Sequence, residues 1–188
     1  PERRRRGALH LSVGVVVAGE MIDQGIAGAD YGWNVREGTC SYPPFSCGNT
    51  PSGLTDPIYS YNHSSGCASI TGGAFIPAGV WPSPYSGYLF SDYVCGKIFT
   101  MTTTPPYSTA DFVTGLGVNS AVTLVFGPYN ATQALYYTNY NNGGQVRRIY
   151  YAGATNLPPT AQISANPVGN EFPVCLRRNQ HKLGIRSN

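Results

Sequence analysis

Few residues of this 188-residue chain have side chains suited to chemistry, and they lie far apart in sequence: three histidines and nine acidic residues in all. His63 stands beside Ser64 in a short polar turn, where an imidazole can touch a polar ligand; the plainer reading is an exposed turn residue. Asp92 and Lys97 flank Cys95 and read as an Asp–Lys surface pair, which contributes little by itself. Trp33 and Trp81 carry faces on which a sugar ring can stack, but both are read first as buried anchors. Arg36 and Glu37 read as a pair. Arg147 and Arg148 are adjacent in a strand, so only one of them can face any given side. No residue is assigned a catalytic role.

The chain has five cysteines, Cys40, Cys47, Cys67, Cys95 and Cys175. No CxxC spacing occurs, and no metal site is assigned. Cys40 and Cys47 bracket a Pro-rich loop and are placed to close it. Cys67 opens one strand and Cys95 sits in the turn after the next, so neighbouring strands can bring them within bonding reach. Cys175 is left over. Two Asn-X-Ser/Thr triplets, Asn62-His63-Ser64 and Asn130-Ala131-Thr132, are compatible with glycosylation. Cysteine pairing, aromatic richness and low charge together predict an extracellular or cell-surface protein.

The elements that must position these residues are strands. Only 11% of residues are charged, against roughly 25% in an average soluble protein. Gly (23), Pro (15) and Tyr (14) are abundant, a profile of short strands and tight turns. Alternating runs predict strands near Ile58–Tyr61, Ser69–Ile76, Tyr88–Tyr93 and Lys97–Thr102, then near Asp111–Thr114, Ala121–Phe126, Ala134–Tyr140 and Gln145–Tyr151. The two sets resemble each other at an offset of about 50 residues. Phe75-Ile76-Pro77 matches Phe126-Gly127-Pro128, and Tyr88–Tyr93 matches Ala134–Asn139. The fold class predicted is all-β: a partial β-propeller of about two four-stranded antiparallel blades, over residues 56–102 and 110–152, with Ile58–Tyr61 and Asp111–Thr114 innermost. A β-sandwich is the alternative. No run approaches the ~20 apolar residues of a membrane span. The +3 net charge is concentrated in Arg3–Arg6 and in Arg177, Arg178, Lys182 and Arg186, near the ends, and no nucleic-acid face is read.

Tyr31-Gly32-Trp33-Asn34-Val35-Arg36-Glu37-Gly38 resembles the NYGWP-x-x-EG element of the glucose/sorbosone dehydrogenase-like propellers. Asp56-Pro57-Ile58-Tyr59, Ile70–Phe75, Tyr88–Ile98, Leu124–Pro128, Ala134–Tyr137 and Gly144–Ile149 follow in that family's order. The resemblance divides the chain into a poorly matching segment 1–20, the C-terminal part of a propeller over 21–153, and a stretch 154–188. In that last stretch, Asn156–Pro167 is similar to the opening of a PKD-type β-sandwich, and the remainder reads as tail. It implies a six-bladed propeller whose upstream blades precede Pro1. For active members it implies oxidation of a sugar hydroxyl with pyrroloquinoline quinone (PQQ) and calcium, and a saccharide partner. It also puts His63 near the mouth of the cleft, gives Asp92 as a second substrate-cleft candidate, and offers Lys97 as a cofactor-binding residue.

Three positions depart from the family pattern. Where quinone-binding members carry a Lys, this chain has Val94 or Cys95. Where they carry two Arg that clamp carboxylates, it has residues near Ser120 and Val122. Neither Ser nor Val can replace a bidentate guanidinium. Two functions follow from the resemblance: a fragment of a secreted sugar dehydrogenase-like propeller, or a non-catalytic carbohydrate-binding or cell-surface propeller that has lost the cofactor site. The chain alone is expected not to bind the quinone tightly and to oxidise no sugar.

Overall fold

A computed structural model describes residues 9–12, 19–42, 46–152 and 161–166. The protein is all-β, built from several antiparallel sheets. It divides into two compact units, Pro1–Ile70 and Thr71–Asn188.

In the first unit, β1 (Leu9–Ser12) pairs antiparallel with β2 (Glu20–Gln24), joining Leu9 to Gln24 and Ser12 to Met21. The segment before residue 20, a poor match to the family pattern, thus supplies a strand. A ribbon follows: β3 (Arg36–Glu37) pairs with β4 (Cys40–Ser41) around Gly38-Thr39. The ribbon is entered through a turn in which the Asp30 carboxylate accepts from Gly32 N–H at 2.8 Å, the local bond that makes Asp a turn residue. β5 (Tyr59–Tyr61) then pairs with the other edge of β2, opposing Glu20 to Tyr61. β2 is buried on both faces from Glu20 to Asp23.

The second unit holds two four-stranded meanders. The first runs β6 (Ile70–Phe75), β7 (Tyr88–Asp92), β8 (Lys97–Met101) and β9 (Thr109–Val113) in that spatial order. The second runs β10 (Ser120–Tyr129), β11 (Thr132–Asn139), β12 (Gln145–Tyr151) and β13 (Ala161–Asn166). Their shared core is Leu89, Ile98, Phe112, Val113, Leu124, Leu135, Tyr137 and Ile149 with Trp81. Trp81 lies stacked on Phe112 and edge-on to Phe126. The sheets touch at their first strands, β6 and β10. Thr71 Oγ1 donates to the Ala121 carbonyl at 3.0 Å, and a Cβ at Gly72 would lie 2.9 Å from Leu124 N.

All eight strands read from the sequence form, but they group differently. Ile58–Tyr61 does not open a blade sheet, because β5 hydrogen-bonds to β2. Asp111–Thr114 does not open the second sheet either: β9 folds back on β8 and closes the first. The physical reason is the short connection 102–108. There Thr102 N–H donates to Ser108 O, and Ser108 N–H to Thr102 Oγ1, and so tight a turn forces a hairpin. The second sheet takes its fourth strand from Ala161–Asn166, which bonds along β12 from Tyr151↔Ala161 to Val146↔Asn166. The linker and PKD-type reading had assigned this strand elsewhere. The expected tail, 168–188, lies outside the described residues.

Candidate functional site

The cysteines form the bridges that the spacing suggested for the first pair. Cys40 and Cys47 are joined by a disulfide. Cys67 and Cys95 are disulfide-bonded as well. Cys175 lies outside the described residues.

The first unit gathers its ionisable side chains around the start of β2. Glu20 is 1% exposed. One of its oxygens accepts from the backbone N–H of Ile70 at 2.7 Å, and the other lies 3.2 Å from His63 Nε2. His63 is held there by a single 3-10 turn, His63–Ser65, which Asn62 caps by accepting from Ser64 N–H at 3.0 Å. Gly66, in the left-handed region at φ 78, ends that turn. Glu37, on β3, belongs to the same cluster. Its carboxyl is raised above the ordinary carboxylate range, first by burial and then by the nearby Glu20 charge, while His63 pulls it the other way. Glu37 is 4% exposed, and its Oε2 has no hydrogen-bond partner among the described residues.

A cleft of about 260 Å³ opens beside this cluster, lined by Glu37, Thr39, Ser60, Tyr61, Asn62 and the Cys40–Cys47 bridge. Gly19 shapes its wall. A Cβ at Gly19 would come within 2.4 Å of the Tyr61 carbonyl, and its φ of 152 favours glycine. The cleft therefore presents hydroxyls and a carboxamide, with the buried Glu37 carboxyl in its wall. Such a lining suits a ligand rich in hydroxyl donors. At the open end of the β3–β4 ribbon the Trp33 and Tyr42 rings lie 5.2 Å apart, Trp33 70% exposed and Tyr42 half-buried.

Several sequence readings change here. Trp33 is no buried anchor, whereas Trp81 is. Arg36 does not pair with its neighbour Glu37, because successive residues of a strand face opposite sides. Its guanidinium meets Asp56 at 3.1 Å and donates to Gly48 O. Asp92 is buried, and its Oδ1 accepts from Val94 N–H and Cys95 N–H, holding the turn. It does not line the cleft described above, and Lys97 pairs with Asp111 on β9 at 3.2 Å instead of with Asp92. Arg147 and Arg148 do separate as read. Arg147 is buried and acts on Tyr137, while the Arg148 guanidinium stacks 3.8 Å from the Tyr129 ring.

Sequence reasoning found His63 but missed Glu20 and Glu37 as its companions. The available signal was scarcity: in a chain with nine acidic residues, Glu20 and Asp23 flank the apolar pair Met21-Ile22. A carboxylate in such a run needs a buried partner.

The positions expected to hold a quinone do not fit one. Val94 is apolar and Cys95 is oxidised. Ser120 is buried and donates to Leu116 O at 2.9 Å. Lys97 is engaged with a carboxylate. A tricarboxylate needs cations at such positions, and none of these residues offers a free one.

Comparison with known proteins adds a partial likeness. The HIPL2 protein of Arabidopsis thaliana is similar to this chain: 34% identical over 95 residues, which is 46% of this chain and 14% of that protein. The chain thus spans a small part of the length of the relative it matches. No family model matches the chain, and no solved structure matches it.

Proposed function

We propose that this chain is the C-terminal part of an extracellular six-bladed β-propeller of the glucose/sorbosone dehydrogenase-like type. In this reading it binds saccharide without a quinone. The two meanders of the second unit would be its last two blades. The upstream blades would come from a longer protein, in keeping with the small share of HIPL2 that the chain covers. Two disulfides accord with an oxidising compartment, and no helix among the described residues is long and apolar enough to cross a membrane.

The observation that carries the reading is the Glu37 cleft. It sets hydroxyl and amide groups around the Glu37 carboxyl, on the same ribbon as the exposed Trp33 ring and its neighbour Tyr42. Sugars are bound by this combination of polar acceptors and an aromatic face. The oxidoreductase function that the resemblance implies lacks support at the positions where its cofactor would be clamped.

The test is titration of the intact protein, upstream segment included, with PQQ and calcium, followed by dye reduction with glucose. Neither tight binding nor turnover is expected. Micromolar or tighter binding that is lost in Lys97→Ala would overturn the assignment and restore the dehydrogenase.

A further inference from the structure

The two Asn-X-Ser/Thr triplets stand in different settings. Asn130 is at the tip of the β10–β11 hairpin, one residue past Tyr129, which pairs with Thr132. Asn130, Ala131 and Thr132 are all exposed. Asn130 has φ 49, in the left-handed region that Asn tolerates better than most residues. Asn62 is exposed as well, but it lines the cleft. Its carboxamide oxygen accepts from both the backbone N–H and the hydroxyl of Ser64. The hydroxyl that would complete the triplet is thus turned back onto the asparagine.

We infer that Asn130 is an N-glycosylation site and that Asn62 is not. The donor is a lipid-diphosphate-linked oligosaccharide. Asn130 Nδ2 attacks the anomeric carbon of its first sugar. An N–C bond forms, the C–O bond to the diphosphate breaks, the lipid diphosphate departs with the bonding pair, and the amide nitrogen gives up a proton. Thr132 supplies the hydroxyl that acceptor recognition requires two residues on. The product is bulky and hydrophilic. At a hairpin tip whose residues are all exposed, it displaces no packed group. At Asn62 it would lie across the saccharide cleft.

This inference rests on the extracellular reading, and the test separates the two. The full chain is expressed in a eukaryotic host behind a supplied, cleavable signal peptide, so that entry into the secretory pathway does not depend on the natural leader. Cell-associated and secreted chains are pooled, treated with peptide N-glycosidase, and mapped by mass spectrometry for Asn-to-Asp conversion. Conversion at residue 130 is expected. The glycan should be lost in both Asn130→Gln and Thr132→Ala and kept in Asn62→Gln. An unmodified Asn130 in chains whose signal peptide has been removed, or a glycan on Asn62, overturns the inference. Secretion of the natural full-length protein is scored separately, and its failure would count against the extracellular reading alone.

Discussion

At Glu37, burial and a second carboxylate act in the same direction. Both disfavour the charge, so the folded protein holds a proton there that the unfolded chain releases sooner. A carboxyl raised on folding contributes stability that is fully present below its unfolded pKa and is lost as pH rises through its folded pKa. The protein should therefore gain stability from Glu37 as pH falls from neutral towards the ordinary carboxylate range. Glu37→Gln should remove that gain and leave stability at neutral pH equal or higher. Chemical denaturation across this range, wild type against variant, isolates Glu37 from Glu20 and His63, which both proteins share. Tyr137 gives a second check at the alkaline end. Burial lifts its phenol from 10.0 to about 12, with Arg147 opposing. Between those values the unfolded chain ionises first, so stability should fall as pH rises. Tyr137→Phe should flatten that fall in urea titrations. Residue roles were legible where chemistry is local. The turn around His63 and the Cys40–Cys47 loop are written in adjacent residues. Glu20 and Glu37 meet His63 only through strand pairing, which no short window reveals.

The strands themselves were legible because alternation survives in them. On β10, Leu124 is 5% exposed and Val125 54% exposed, as a strand with one packed face requires. What alternation does not encode is which strand pairs with which. The grouping rests on the repeat, and both sheets run as four-stranded meanders in chain order, β6-β7-β8-β9 and β10-β11-β12-β13. The error lay in placing each copy's remaining strand before the repeat instead of after it. The 102–108 turn decides the first case, and β13 decides the second. Packing between the sheets makes a sharp prediction. Leu135 is fully buried in the shared core, so Leu135→Ala should cost about 2–5 kcal/mol. Val125→Ala, on the exposed side of the next strand, should change stability by less than ~0.5 kcal/mol. Denaturation midpoints of the two variants check this, and equal effects would mean that the sheet faces are misassigned.

For the whole molecule, sequence order carried more than any single motif. The ordered set of short matches pointed to a sugar-related propeller, while the residues at the cofactor positions pointed away from its chemistry. The physical distinction is simple: a strand can keep its apolar face while its charged clamp is lost, since packing and cofactor binding are satisfied by different residues. In the proposed function, scaffold and activity are separate, and ligand recognition would lie at the Glu37 cleft and the Trp33 face. The direct measurement is binding of the intact protein to a panel of neutral oligosaccharides, repeated with Glu37→Gln and Trp33→Ala. The account predicts saturable binding by the wild type without added quinone. Glu37→Gln alters the carboxyl in the cleft wall and should weaken binding, and Trp33→Ala, which removes the exposed aromatic face, should weaken it too. Absence of binding across the panel, or binding that neither substitution alters, would contradict it.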